Sequence, residues 1–192
     1  MKRIPLEFAV LAVAVAATVA VARPAHAQGT NDSADKLARG KYLVTTSGCN
    51  DCHTPWKMGP KGPEPDMTRM LSGHPEGMAL PPAPQPQGPW IVAAAATNTA
   101  WSGPWGVSFT ANLTPDPETG LGKWTQRNFS ETIRTGRHMG RGRQILPPMP
   151  IPMYRNFTDA DLEAIFSYLQ SIPPIQNRVP EPLPPAASVA QK

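Results

Sequence analysis

The chain has 192 residues, 40% of them hydrophobic and 17% charged, with 25 prolines, 15 glycines and two cysteines. Such a length suits one domain. Two cysteines cannot staple a disulfide mini-scaffold, and a formal charge of +4 is too small to mark a nucleic-acid binder.

The first 27 residues read as a targeting segment. Lys2 and Arg3 give a positive start, Phe8 to Ala22 is small or apolar throughout, and Ala25-His26-Ala27 offers the small-x-small pattern of a signal-peptidase site. The apolar run is shorter than the ~20 residues a spanning helix needs. The expectation is cleavage after Ala27, a periplasmic product and no stable membrane insertion afterwards; an uncleaved anchor is the competing reading. Without residues 1–27 the net charge falls to +2, so bulk charge says nothing about partners. Residues 28–34 then form an N-terminal extension, 35–175 the domain and 176–192 a Pro-rich tail.

Ser33 to Thr45 predicts a first helix, capped by Asp32 or Ser33, with Leu37, Tyr42 and Val44 as a partial apolar face. Gly40 inside it weakens the helix by about 1 kcal/mol relative to alanine and points to a closely approaching backbone. Residues 57–110 hold ten prolines, too many for a continuous helix or a central strand. Within this long loop, 93–100 and 107–112 are expected to pair as a short hairpin around Gly103-Pro104. Gln126 to Thr135 predicts a second helix, with Thr125 as cap, Trp124 and Phe129 at the staple positions and Gly136 as the stop. The last helix opens on the capping box Thr158-Asp159-Ala160-Asp161. It carries Leu162, Ile165, Phe166, Leu169 and Ile172 on one face and ends before Pro173. From Gln176 onward no periodicity remains, and an extended tail is expected.

Cys49-Asn50-Asp51-Cys52-His53 is a C-x-x-C-H sequence, the attachment pattern of c-type haem. Two thiols three residues apart on one turn can each add to a haem vinyl group, and the next residue can present its imidazole to the iron. A shuffled chain of this composition would show the pattern on the order of 2 times in 10,000. A thioredoxin-like pair would want a βαβ context, which the residues after Pro55 do not supply. A zinc site would want four ligands, with only His53, His74 and His138 left beside the cysteines. One covalently attached haem c is therefore expected, and it would also supply apolar volume that a proline-rich chain lacks.

A second axial ligand is expected from methionine. Met149 lies in Leu146-Pro147-Pro148-Met149-Pro150, where flanking prolines make a stiff strap, and Met153 and Met139 are the alternatives. Met58, Met67, Met70 and Met78 read as ordinary fillers.

Five stretches occur in order: Gly40-Lys41-Tyr42-Leu43-Val44, Cys49 to Thr54, Ala111 to Gly120, Gly122-Lys123-Trp124-Thr125 and Pro148-Met149-Pro150. Together with Asp159 to Pro174 they resemble the class I c-type cytochromes related to the cytochrome subunits of membrane-linked bacterial alcohol dehydrogenases. The resemblance implies a mainly α fold of three main helices around one haem, here with the long Pro-rich insertion and its hairpin. It implies thioether sites at Cys49 and Cys52 and axial ligands at His53 and Met149. Those subunits often carry several haem domains, whereas this chain has one C-x-x-C-H, which favours a free carrier or a small accessory protein over a dehydrogenase subunit. The family's strap usually reads Met-Pro-Tyr; Ile151 stands in the tyrosine's place.

The expected function is transfer of single electrons between redox partner proteins such as a dehydrogenase, a cytochrome complex or a terminal oxidase, with no nucleic acid and no substrate chemistry. A dehydrogenase subunit and a catalytic or gas-sensing haem protein are the competitors. A carbonyl after His53, Pro65 by first choice, is expected to accept the imidazole N–H. Trp124 has two open readings, a propionate hydrogen bond or the helix staple. Arg134, Arg137, Arg141 and Arg143 read as a solvated loop or as a dock for propionates or an acidic partner. Trp90, Trp101 and Trp105 read as packing over the haem edge or as a partner-facing patch.

Overall fold

A computed structural model describes residues 25–185 except Gln85 and Gln87. The proposed targeting run, apart from its last three residues, and the end of the tail lie outside the described residues. The elements in chain order are α1 (Ala25–Thr46), α2 (Cys49–His53), β1 (Trp56–Gly59), β2 (Gly62–Pro65), β3 (Ala93–Ala94), β4 (Ala100–Gly103), β5 (Gly106–Phe109), α3 (Gln126–Thr135), α4 (Ile151–Tyr154) and α5 (Asp159–Ser171). Helix covers less of the chain than a mainly α reading anticipates, and two small antiparallel sheets, β1-β2 and β3-β4-β5, make up part of the difference.

The helix α1 starts earlier than the sequence suggests, and its backbone is continuous through residues 28–34. Its buried face is Gly40, Leu43 and Val44, while Tyr42, expected inside, is 57% exposed and lies beneath the Arg39 guanidinium. The reason is the crossing with α5. A Cβ on Gly40 would lie 2.0 Å from the Ala164 carbonyl oxygen, so the two backbones nearly touch, as an interior glycine implied. Arg39 and Asp161 (2.9 Å) and the Lys36–Glu163 pair flank the crossing on its exposed side.

Capping follows the sequence closely. Thr125 and Asn128 exchange side chain-to-backbone bonds at 3.1 Å, giving α3 a full capping box, and Gly136 ends it at φ 69°. At α5 Thr158 accepts from the Asp161 N–H at 3.1 Å, and the Asp161 carboxylate also meets Arg39 of α1 at 2.9 Å. Leu162, Ile165, Leu169 and Ile172 are buried as expected, and Phe166 meets Phe129 of α3 with ring centroids 5.5 Å apart.

The long loop is more structured than its prolines suggest. The hairpin forms around Pro104-Trp105, but the strand pairing with β5 is 100–103 rather than 93–100 (Ala100↔Phe109, Gly103↔Gly106). Residues 95–98 turn instead, with Asn98 at φ 55°. The β1-β2 hairpin is masked in the sequence because Pro63 and Pro65 occupy β2, an edge strand where a missing donor is tolerated.

The tail is extended, as expected, but it is docked. Asn177 is 2% exposed. Its amide donates to the Ser72 and His74 carbonyls (2.7 and 2.8 Å) and accepts from the Glu76 N–H (2.7 Å). Replacing Asn177 by alanine orphans these buried groups, so a loss on the order of 3 kcal/mol is expected in denaturant unfolding.

Three carboxylates, Asp66, Asp116 and Asp161, have pKa values below the ordinary range, each held there chiefly by a threonine hydroxyl (Thr68, Thr119 and Thr158). Lowered folded values mean stability that is complete above the unfolded carboxylate pKa of ~4 and lost as pH falls through the folded values. The midpoint of urea unfolding is expected to begin falling below pH ~6.5, where the buried His53 and His74, whose pKa values desolvation lowers, take up protons on unfolding, and to drop further below about 4 as the three carboxylates are protonated.

Candidate functional site

Cys49, Cys52 and His53 occupy α2, a single turn that follows Gly48 at φ 76°. The turn brings all three side chains to one cavity of about 340 Å³, within the size range of small-molecule and cofactor sites. Met149 reaches the same cavity from the proline strap before α4. Phe129, Ile133, Leu162, Ile165 and Leu169 supply an apolar floor from α3 and α5. Met153 is 70% exposed, and neither it nor Met139 lines the cavity. The structure thus brings the four expected site residues together and leaves the alternative methionines out.

His53 is 8% exposed, and its Nδ1 lies 2.7 Å from the Ala111 carbonyl oxygen. A carbonyl can only accept, so Nδ1 carries the proton and Nε2 keeps a free lone pair. Burial lowers the imidazole pKa and holds it neutral. The acceptor is Ala111 rather than Pro65, because Pro65 is paired with Trp56 in the β1-β2 hairpin while the chain returns from the long loop directly over His53.

Gly73 builds that return. Its N–H donates to the His53 carbonyl at 2.8 Å, its φ is +78°, and a Cβ there would lie 2.4 Å from the Thr110 oxygen and 2.7 Å from the Ala111 oxygen. Only glycine allows both the conformation and the approach. Tyr154 is a further site residue that the motifs do not single out. It lines the cavity from α4 and donates its hydroxyl to the Ser47 carbonyl, tying the strap region to the start of the cysteine turn. The signals available were the glycine in Ser72-Gly73-His74-Pro75 and a tyrosine three residues beyond Ile151.

The thiols are free and half-buried. Desolvation raises both, Cys49 to about 11, so each is protonated at neutral pH. Trp124 lines the cavity edge-on to His138, with centroids 5.1 Å apart. Arg143 lines it too. Arg134 does not; it bridges the Arg155 and Phe157 carbonyls and the Asp159 carboxylate, and so fastens α3 to the start of α5. Trp90, Trp101 and Trp105 stay outside the lining: Trp90 is 75% exposed, and Trp105 folds onto Gly103 of its own hairpin. Packing of these rings over the cavity is therefore set aside. His74 is buried against Phe109 with Nδ1 3.0 Å from the Thr99 hydroxyl, and among the described residues no group of three His, Cys, Asp or Glu side chains could hold a metal ion.

The cavity fits the group that a C-x-x-C-H turn serves. Two thiols and an imidazole with a free lone pair share one wall system, the floor is apolar, and a thioether is present. The family model for cytochrome c matches residues 37–173, and the chain belongs to the cytochrome c family. A cytochrome c domain implies covalently bound haem c.

The chain is 38% identical over 148 residues to a nicotinate dehydrogenase subunit from Pseudomonas putida, covering 77% of this chain and 10% of that protein. It is 27% identical over 160 residues to the cytochrome c subunit of the quinone alcohol dehydrogenase of Gluconobacter oxydans, covering 82% and 26%. It is 26% identical over 157 residues to the fructose dehydrogenase cytochrome subunit of Gluconobacter japonicus, covering 82% and 25%. The chain thus spans only about a tenth to a quarter of the length of these relatives.

Proposed function

We propose that this chain is a periplasmic monohaem cytochrome c of the class I type that passes single electrons between redox proteins. The observation that carries the reading is the convergence of Cys49, Cys52, His53 and Met149, from segments far apart in sequence, on one largely apolar cavity. Cys49 and Cys52 would hold haem by thioethers, and His53 Nε2 and the Met149 sulfur would be the axial ligands. When bound, haem supplies a one-electron ferric–ferrous couple.

The chain's own residues do the rest. Ala111 fixes the His53 tautomer and strengthens the imidazole as a donor. The prolines flanking Met149 hold its thioether with little freedom to leave, and the apolar floor excludes water, so little rearranges when an electron arrives. A thioether ligand favours the ferrous state relative to a second imidazole.

A dehydrogenase is the proposed electron donor, a reading supported by relatives that are dehydrogenase subunits, two of them cytochrome subunits by name. A cytochrome complex or a terminal oxidase is the proposed acceptor. The same names favour a second reading, in which the chain works as the cytochrome subunit of such a complex; co-purification with a dehydrogenase would separate the two. Among the described residues no helix is long and apolar enough to cross a membrane. An exported product with a cleaved leader is part of the proposal.

Carbon monoxide provides the test. The reduced, haem-loaded protein is expected to bind it slowly and weakly, because Met149 would hold the second axial position; fast, tight binding would replace the carrier reading with a ligand-binding one.

A further inference from the structure

The segment that follows α5 forms part of the site itself. Arg178, Val179, Pro180, Glu181 and Pro182 line the same cavity as the cysteine turn. The segment is pinned at both ends. Asn177 is buried among the carbonyls of residues 72 and 74, and the Arg178 N–H donates to the Glu76 carboxylate at 2.9 Å. Leu183 and Val107 exchange backbone hydrogen bonds at 2.9 Å in both directions. Gly106 permits that closing contact, since a Cβ there would lie 2.1 Å from the Leu183 oxygen. Between these anchors Glu181 meets Arg143 at 3.3 Å, an ion pair whose two members both line the cavity. Pro180 and Pro182 flank the glutamate, so the backbone holding it has few alternatives.

We propose that residues 177–183 are a fixed wall of the haem site, and that the Arg143–Glu181 pair on its rim sets the reduction potential by balancing opposite charges beside the cofactor. This rests on the haem reading above. The iron centre gains one positive charge on oxidation. A carboxylate beside it favours the ferric form and a guanidinium the ferrous form; both side chains of the pair reach solvent, 45% and 84% exposed, so water and salt screen the two fields. Arg143 and Glu181 are thereby positioning and tuning residues that form no bond to the iron.

The test uses the full, haem-loaded chain and four proteins: wild type, Glu181→Gln, Arg143→Gln and Lys61→Gln. Lys61 is an exposed charge outside the cavity lining. Midpoint potentials are read by spectroelectrochemical titration at low and at high ionic strength, beside the protein mass and the haem absorbance. Glu181→Gln is expected to move the potential up and Arg143→Gln to move it down. Both shifts should shrink in high salt, and Lys61→Gln should leave the potential at the wild-type value. Haem attachment and absorbance should be unchanged in all four. Shifts no larger than that of Lys61→Gln, or of the wrong sign, in a fully loaded protein would overturn the proposal alone. A wild-type chain that carries no haem would overturn the haem reading and this proposal together.

Discussion

Met149→Ala is expected to abolish the sulfur-to-iron charge-transfer band of the ferric protein and to lower its midpoint potential. The fall should be a sizeable fraction of the about 0.8 V range that axial ligands control. The same change should open the second axial position to carbon monoxide. Met153→Ala and Met139→Ala are expected to do none of this. Met153 is 70% exposed, and neither methionine reaches the cavity that holds His53. Absorbance near the red end of the visible spectrum, with a redox titration of each variant, checks the set. Retention of the band in Met149→Ala would move the ligand elsewhere.

The second large effect lies at the crossing of α1 and α5. In an ordinary helix interior, glycine to alanine stabilises by about 1 kcal/mol, because alanine loses less backbone freedom on folding. Gly40→Ala is expected to do the opposite. The added methyl would sit 2.0 Å from the Ala164 carbonyl oxygen, 2.6 Å from its carbon and 2.8 Å from the Tyr168 Cβ. Two of these are backbone atoms that cannot rotate away, so α1 and α5 must separate. Overpacking usually costs about 1–3 kcal/mol, and contact with backbone puts this case at or above the top of that range. Thermal unfolding of Gly40→Ala beside wild type measures the sign. Unchanged stability would mean that the two helices do not cross this closely.

Local rules made much of this molecule legible from its sequence. The caps at Thr125 and Thr158, the stop at Gly136 and the buried face of α5 each depend on neighbours within one or two turns, so the pattern announces them. That the cysteine turn and the strap methionine share one cavity matches what the C-x-x-C-H spacing and the proline-flanked Met149 led one to expect. What stayed hidden depends on long-range return of the chain. Ala111 orients His53 only because Gly73 and Thr110 bring the end of the loop back over α2. An alanine carbonyl carries no mark in the sequence. Tyr42 was misplaced for a similar reason: the backbone contact at Gly40 rotates α1 so that Leu43 faces inward instead. The β1-β2 hairpin was hidden by prolines that an edge strand accepts.

The long loop leaves and rejoins the domain through a narrow neck. Gly73 bonds to the His53 carbonyl, His74 to the Thr110 carbonyl, and Leu113 to the Leu71 carbonyl, all within 2.9 Å. Closing a longer flexible loop between fixed ends adds only about 0.6 kcal/mol for each doubling of its length. Exposed residues such as 88–91, which make none of these contacts, can therefore be lengthened, shortened or exchanged while the histidine keeps its orientation. Such a scaffold lets natural selection rewrite its outer face without retuning its inner chemistry.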